Sequence, residues 1–229
     1  MELLQNGITL ETPPGTFPLS TDSMVLSDFV RLPKNASVLD LGAGCGTLGL
    51  LLCARDPLCR VTGIERDERS HLAALANIER NGLQTRMESI CADLRTFAPP
   101  ERIGTYTTCI SNPPYFSGGP ASTANPSARR DDCCSAEDLF AAAGRLLRYG
   151  GDFFLVHKPD KLAHLCACAA RHALEPKRLR LVRHQEGSEV SLILLQCRKG
   201  GKPGLQWEEL HLFDRNHAPT EHYQRIYHL

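Results

Sequence analysis

The segment VLDLGAGCGTLG, residues 38–49, decides the fold class of this chain. An apolar strand passes through Asp40 into a run of glycines, and an apolar helix follows directly. Glycines let a backbone turn sharply and approach a ligand, and the first turn of a helix presents free N–H groups. A strand, a glycine turn and a helix in this order are typical of a parallel α/β sheet that binds a nucleotide-like ligand at the carboxyl ends of its strands.

Strands and helices continue to alternate beyond this segment. The further strands are CRVTGIE, RMESICAD, TYTTCISNPPY and DFFLVHK, and the helix SAEDLFAAAGRLLRYGG is expected to stop at its glycines. Two strands separated only by EGSE, KRLRLVRH and VSLILLQCR, then predict a hairpin, and QWEELHLF is a candidate for one more strand. The pattern predicts a Rossmann-like α/β fold: a mostly parallel seven-stranded sheet with an antiparallel edge hairpin and helices on both faces.

Composition fits one domain. The chain has 229 residues, 42% of them hydrophobic, and we expect an N-terminal hairpin and helix (1–36), a core (37–198) and a C-terminal extension (199–229). The ten cysteines lack the spacing of a disulfide framework, so we expect reduced thiols. The chain shows neither a membrane-length apolar run nor the features of a signal peptide, which favours a cytoplasmic protein. A formal net charge of zero argues against an extensive basic coat for nucleic acid.

The glycines leave two cofactor classes open. Gly44, Gly46 and Gly49 satisfy the G-x-G-x-x-G pattern of dinucleotide sites. However, a carboxylate at Asp40 suits a ligand that carries an ammonium group and fits poorly beside a pyrophosphate. This favours S-adenosylmethionine over a dinucleotide.

Three acidic residues end three successive predicted strands. They are Asp40, Glu65 and Asp93, and we expect them at the edge where open α/β sheets bind ligands. Glu65 would accept from ribose hydroxyls, and Asp93 would accept from the amino group of adenine. The alternative is that each carboxylate only caps a strand-to-helix turn.

The segment CISNPPYFSGG, residues 109–119, is a second candidate site. The side-chain oxygen of Asn112 and the carbonyl of Pro113 are two acceptors that can bind the two N–H groups of an amine. The turn made with Pro114 is rigid and would preorganise them, and Tyr115 offers a face on which a base can stack. The alternative is an ordinary turn that ends a strand.

On DLGAGCG, GIE and NPPY, the chain resembles the class I S-adenosylmethionine-dependent methyltransferases. The chain is also similar to the bacterial enzymes that methylate N6 of the adenine beside the anticodon of a valine tRNA. The segments that carry this similarity are PLSTDSMVLSDF, SARRDD, FLVHKPDKL and RKGGKPGL. The resemblance implies S-adenosyl-L-methionine as methyl donor, no metal, an RNA substrate that is a tRNA, and a monomer or weak dimer. SARRDD departs from the pattern in having two acidic residues, Asp131 and Asp132, followed by Cys133 and Cys134.

The motifs and the resemblance together give three sets of candidate residues. The catalytic set is Asn112, Pro113, Pro114 and Tyr115. The cofactor-binding set is Asp40, Gly42, Ala43, Gly44, Glu65, Arg66, Asp93, Leu94 and Asn112. The substrate-binding set is Phe116, Arg129 and Arg130.

Other functions stay open at this point. The same turn suits the amide of a protein glutamine or the amino group of a guanine in ribosomal RNA, and a non-catalytic homologue would bind only cofactor or RNA. A dehydrogenase would leave NPPY without a role. In KRLRLVRH, Arg178, Arg180 and His184 form either a phosphate-binding patch or the solvated face of an edge strand.

Overall fold

The computed structural model describes residues 1–114 and 134–227. Its strands are β1 (Glu2–Leu3), β2 (Thr9–Leu10), β3 (Ser37–Leu41), β4 (Arg60–Glu65), β5 (Met87–Cys91), β6 (Tyr106–Ser111), β7 (Leu147–His157), β8 (Leu174–Gln185), β9 (Val190–Lys199) and β10 (Gln206–Phe213). Its α-helices are α1 (Thr21–Phe29), α2 (Thr47–Arg55), α3 (Glu68–Arg80), α4 (Ala136–Leu146), α5 (Leu162–Arg171) and α6 (Glu221–Tyr227).

Within the described ranges, the main sheet contains eight strands in the order β10-β8-β9-β7-β6-β3-β4-β5. Strands β3 to β7 are parallel, and β9 runs antiparallel to both of its neighbours, β7 and β8. Strands β1 and β2 form a separate antiparallel pair. The predicted α/β class, the mainly parallel sheet and the hairpin are confirmed.

The predicted count of seven strands is one too low, because β10 joins the sheet. It pairs in parallel with β8, and its Leu210 and Leu212 are buried in the core. The hairpin leaves the outer backbone groups of β8 without partners, and β10 supplies those partners. The outermost strand on this side is therefore β10.

The expected glycine stop after α4 is also wrong. Helix α4 ends at Leu146 and β7 begins at Leu147, so Gly150 and Gly151 lie inside the strand. Leu146 and Leu147 are both fully buried, and their packing brings the chain directly from helix to sheet. Gly150 has a φ of +77°, which a β-branched or bulky side chain rarely adopts.

Two apolar layers cover the two faces of the sheet. One contains residues of α1, α2, α3 and α6, and the other contains residues of α4 and α5. Successive strand residues alternate between them: Val38 belongs to the first layer, and Leu39 belongs to the second. Asp40 shares the face of Val38, so it points toward the layer that contains α1 and α2. None of the described helices is long and apolar enough to cross a membrane.

The strand KRLRLVRH was predicted to carry either a phosphate-binding patch or the solvated face of an edge strand. At Arg180 the structure shows neither. The strand forms part of β8, which lies between β9 and β10. Arg180 is only 7% exposed, and it donates to Asp28 at 2.7 Å and to Glu208 at 2.8 Å. This guanidinium joins α1, β8 and β10. For Arg180, the phosphate-binding patch and the solvated face are therefore both wrong predictions.

Candidate active site

The glycine loop lies at the carboxyl end of β3 and is tied to β4. The backbone N–H groups of Gly42 and Ala43 both donate to the carbonyl of Ile64, at 2.9 and 3.0 Å. Gly42 and Gly44 have φ values of +77° and +55°, and a Cβ placed on either would meet no atom within 4 Å. The backbone of the loop is thus open on one side, as close contact with a ligand requires.

Gly46 and Gly49 have a packing role. A Cβ on Gly46 would approach the Cε of Met87 to 2.9 Å, and one on Gly49 would approach the same atom to 2.5 Å. Both glycines let the start of α2 pack closely against the sheet. Two of the three glycines that match the dinucleotide pattern therefore serve packing, and only Gly44 faces open space.

Glu65 joins the glycine loop to the end of β4. Its Oε2 accepts from the backbone N–H of Gly44 at 2.8 Å, and its Oε1 accepts from the N–H of Asp67 at 2.7 Å. The carboxylate is thereby held beside the open face of the loop. This is the position expected of an acceptor for ligand hydroxyl groups.

Asp40 is buried, and its carboxylate accepts no hydrogen bond of ordinary geometry from the described residues. It is 1% exposed, and neither carboxylate oxygen accepts a hydrogen bond from any described residue. Burial is the main cause that raises the pKa of Asp40, to about 7, and the negative charge of Glu65 is the second. The nearby N–H of Gly49 lowers this pKa in part. An ionised carboxylate in this state favours a cationic partner. A methyl donor with an ammonium and a sulfonium group fits this requirement, whereas a pyrophosphate does not.

Asp93 follows β5 and is engaged by Arg95. The Arg95 guanidinium donates to Oδ1 of Asp93 at 3.0 Å and to Oδ2 at 2.5 Å, and this pairing lowers the pKa of Asp93. Leu94 is buried and Arg66 is exposed beside the site. The structure therefore places Asp40, Glu65 and Asp93 at one edge of the sheet, with Asp93 already paired.

The Asn-Pro-Pro turn lies next to the glycine loop because β6 pairs with β3. Ser111, the last residue of β6, is fully buried and donates from Oγ to the carbonyl of Leu41 at 2.8 Å. This bond joins the residue before Asn112 to the residue before Gly42. Candidate amine-binding and cofactor-binding residues are thus brought side by side.

Helix α1 holds the side chain of Asn112. Asn112 Nδ2 donates to Oγ of Ser23 at 3.0 Å, and Ser23 Oγ lies 3.4 Å from Oγ of Ser20, the N-cap residue of the helix. Since Nδ2 is bound to Ser23, Oδ1 is the atom of this amide that remains as a candidate acceptor. Pro113 is buried and Pro114 is exposed, so the turn is anchored on one side only.

Sequence patterns did not identify Ser23 or Ser111 as site residues. Ser23 lies within PLSTDSMVLSDF, one of the segments that carry the resemblance, but a single hydroxyl in an apolar helix is not a sequence signal. The predictions for Tyr115, Phe116, Arg129 and Arg130, and the departure at Asp131, Asp132 and Cys133, lie outside the described residues. The nine described cysteines are unpaired, and no group of metal-ligating side chains is found in residues 1–114 and 134–227.

Comparison with known families gives one match over most of the chain. The family described as methyltransferase small domain matches residues 9–166. This range contains the glycine loop, Glu65, Asp93 and the Asn-Pro-Pro turn.

Curated relatives share about a third of the aligned residues. A protein of Shewanella halifaxensis is 31% identical over 159 residues, which are 69% of this chain and 64% of that one. A protein of Bacteroides fragilis is 31% identical over 180 residues, 77% of this chain and 75% of that one. Both are named tRNA1(Val) (adenine(37)-N6)-methyltransferase.

Solved structures share the fold at lower identity. A protein from Agrobacterium tumefaciens, described as a predicted O-methyltransferase, superposes with a TM-score of 0.76 at 22% identity and covers 91% of this chain and 96% of its own. Geranyl diphosphate C-methyltransferase from Streptomyces coelicolor, solved with S-adenosyl-L-homocysteine, superposes with a TM-score of 0.56 at 12% identity. The superposition covers 77% of this chain and 76% of that one. At these identities the similarity concerns the fold alone.

Proposed function

The chain belongs to the methyltransferase small domain family, and we propose that it methylates N6 of an adenine in tRNA, the adenine at position 37 of a valine tRNA. Membership makes the chain a methyltransferase, with S-adenosyl-L-methionine as the methyl donor. This rejects the dehydrogenase alternative. The names of the relatives support the tRNA substrate.

One observation carries the proposed chemistry: Asn112 is held between α1 and the glycine loop. Its Nδ2 is bound to Ser23, and the preceding residue is bound to Leu41. These two bonds support the proposal that the amide oxygen, with the carbonyl of Pro113 next in the chain, acts beside the methyl donor site. Preorganised acceptors of this kind stabilise a transition state without moving during the reaction.

The proposed donor site uses residues on the open side of the loop. The backbone of Gly42, Ala43 and Gly44 lines it, with Leu94 and Arg66 beside it, Glu65 accepts from ribose hydroxyls, and Asp40 compensates positive charge. When bound, the donor supplies an electrophilic methyl group on a sulfonium. Asp93 would bind the adenine moiety after its bond to Arg95 is exchanged.

Asn112 and Pro113 act on the nucleophile. The exocyclic nitrogen of adenine is a poor nucleophile because its lone pair is delocalised into the ring. Two acceptors on its two N–H groups draw the nitrogen toward a tetrahedral geometry and make the lone pair available. The methylated nitrogen is more acidic and loses its proton to water, so this scheme needs no strong general base.

Asn112→Ala tests the mechanism. We expect S-adenosylmethionine binding, measured by calorimetry, to be retained and methyl transfer to fall by about 100-fold or more, as when one oxyanion-type contact is removed. Asn216→Ala, a change on the exposed loop before α6, is the matched control and should leave both unchanged. Full transfer by Asn112→Ala would overturn the mechanism.

The substrate is tested separately with labelled methyl donor. Total tRNA, ribosomal RNA and protein are incubated in separate reactions, and labelled nucleosides are then identified. We expect label in N6-methyladenosine of tRNA. Label in protein glutamine or in ribosomal guanine would overturn the proposed substrate and keep the enzyme class.

A further inference from the structure

A large cavity lies at the amino-terminal edge of the sheet, opposite the candidate active site. It has a volume of about 570 Å³, within the ~300–1,000 Å³ usual for ligand sites. Its walls come from the segment after α1, the starts of β6, β8 and β10, the early part of β7 and the end of β9. Strand β6 has six residues and a strand rises ~3.3 Å per residue, so roughly 20 Å separate this edge from Asn112.

The cavity is strongly basic although the chain has no net charge. Of the residues that the structure describes, one with a carboxylate lines it, Asp152. Five described cationic side chains line it: Arg31, Arg148, Lys177, Arg178 and Arg198. A concave surface lined by charges of one sign focuses its field on a ligand of opposite sign.

Two of these cations are fixed in position. Arg178 stacks on Phe29, with its Cζ 4.4 Å from the ring centroid, and donates to Gln196 at 3.3 Å and to Glu208 at 3.2 Å. Arg198 is bound to Asp152 through two nitrogens, at 2.9 and 2.8 Å. The guanidinium planes are thus held in the wall, which lowers the entropy lost when they bind an anion.

The other three cations have no carboxylate partner within the part of the chain that the structure describes. Arg31 and Arg148 are exposed, and Lys177 Nζ donates to the carbonyl of Lys202 at 2.9 Å. Burial, and then the positive charge of Arg31, lower the pKa of Arg178. Arg31 and Arg178 therefore repel one another although Glu208 partly compensates Arg178, and an anion in the cavity would reduce that repulsion.

We propose that this cavity binds two or more neighbouring phosphate groups, at a site separate from methyl transfer. Each phosphate offers several acceptor oxygens, which match the donor fork of Arg and the ammonium of Lys. The phosphates can belong to an RNA backbone or to a free polyphosphate such as that of a nucleotide. The proposal depends on the cavity and not on the identity of the methyl acceptor.

The probe for this site is inorganic tripolyphosphate, titrated into the full chain by calorimetry at low salt. The cavity variant is Arg148→Gln with Lys177→Gln. The control variant is Arg60→Gln with Arg215→Gln, which makes the same change in charge at two positions outside the cavity. Binding of S-adenosylmethionine by both variants verifies that each is folded.

We expect the wild-type chain to bind tripolyphosphate at one saturable site. The affinity should be at least about tenfold weaker in the cavity variant and within about twofold of wild type in the control variant. Absence of saturable binding to the wild-type chain would overturn the proposal. So would equal weakening in the two variants, since that reports net charge alone.

Titration with tRNA identifies the source of the phosphates. A loss of tRNA affinity confined to the cavity variant assigns the site to RNA backbone, and unchanged tRNA affinity assigns it to a free polyphosphate. Both results support a phosphate site. Failure of tRNA methylation would overturn the proposed function and leave the tripolyphosphate result standing.

Discussion

Ser23 and Asn112 are 89 positions apart in the chain, and their side chains are joined at 3.0 Å. The hydroxyl of Ser23 accepts a hydrogen bond from Nδ2, the one donor atom of the Asn112 side chain. An amide that rotated freely would present oxygen and nitrogen in turn, and only the oxygen can bind an N–H of the substrate. In the proposed mechanism, Ser23 is therefore a positioning residue, which acts through Asn112.

Ser23→Ala should lower kcat by about tenfold and leave KM and the Kd of S-adenosylmethionine unchanged, because only the orientation of Asn112 is lost. Single-turnover kinetics and calorimetry measure these quantities. Ser27→Ala is the matched control, since Ser27 is one turn further along α1 and equally buried. Equal losses of kcat in the two variants would indicate a structural effect of α1.

The raised pKa of Asp40 predicts how pH changes stability. The pKa is about 7 in the folded chain and 3.8 ordinarily, so the folded chain holds this proton more tightly than the unfolded chain does. Its contribution to stability is complete below pH 3.8 and is lost as the pH rises through 7. Without ligand, Asp40→Asn should therefore raise Tm at pH 8 and have little effect near pH 4. Calorimetric scans across this range measure the difference, and an unchanged Tm at pH 8 would contradict it.

The same carboxylate predicts how pH changes cofactor affinity. A cationic donor prefers ionised Asp40, so its binding should release a proton below pH 7 and strengthen by up to about tenfold per unit as the pH rises toward 7. Asp40→Asn should weaken binding and flatten this profile. Titrations in buffers with different ionisation enthalpies count the proton released. A wild-type profile that is flat between pH 5 and 7 would exclude this role.

At the scale of elements, one buried guanidinium holds three of them together. Arg180 of β8 binds Asp28 of α1 and Glu208 of β10. Its side chain is 9% exposed and that of Asp28 is 19% exposed, so solvent screens this pair weakly. The bond explains why α1 keeps its place under the Asn112 turn.

Arg180→Met should destabilise the chain by about 3 kcal/mol, since Asp28 would lose its nearest cation in a buried place. Urea unfolding measures the change. Adding Asp28→Asn should recover part of the loss. Arg215→Met is the control, because its pair with Glu186 is exposed and should contribute less than about 1 kcal/mol. Equal effects of Arg180→Met and Arg215→Met would refute the argument.

The predictions for individual elements failed where long-range packing decided the outcome. The hairpin and the glycine turn were predictable from local spacing, because β-branched runs, glycines and helix periodicity act within a few residues. The end of α4 was mispredicted, because burial of Leu146 and Leu147 outweighed the glycines as a stop signal. Strand β10 stayed a candidate, since its partner edge on β8 exists only in the folded sheet.

At the scale of the whole molecule, the C-terminal helix supports the active site from a distance. Ile226 of α6 is buried in the layer that contains α1, and Tyr227 donates from its hydroxyl to Thr21 Oγ1 at 2.9 Å. Thr21 lies two residues before Ser23. The last helix therefore packs on the helix that orients Asn112.

Ending the chain after Asn216 should lower Tm by about 5 °C, because the burial of Ile226 is lost. We also expect kcat to fall while cofactor affinity is retained, since α1 would be less firmly held. Thermal unfolding and initial rates measure both effects. Tyr227→Phe is the control that keeps Ile226 and removes only the bond to Thr21. A truncated chain with wild-type Tm and kcat would show that α6 has no such role.

The amino-acid sequence by itself determined the α/β class, the glycine loop, the order of the acidic strand ends and the Asn-Pro-Pro turn. Each of these depends on residues close together in the chain, whose spacing acts locally. Only the tertiary structure decided that Ser23 binds Asn112, that Asp40 is buried without a partner among the described residues, and that five cations of that part of the chain meet in one cavity. Those features join distant segments, and their contacts exist only once strand order and helix packing have fixed which side chains meet.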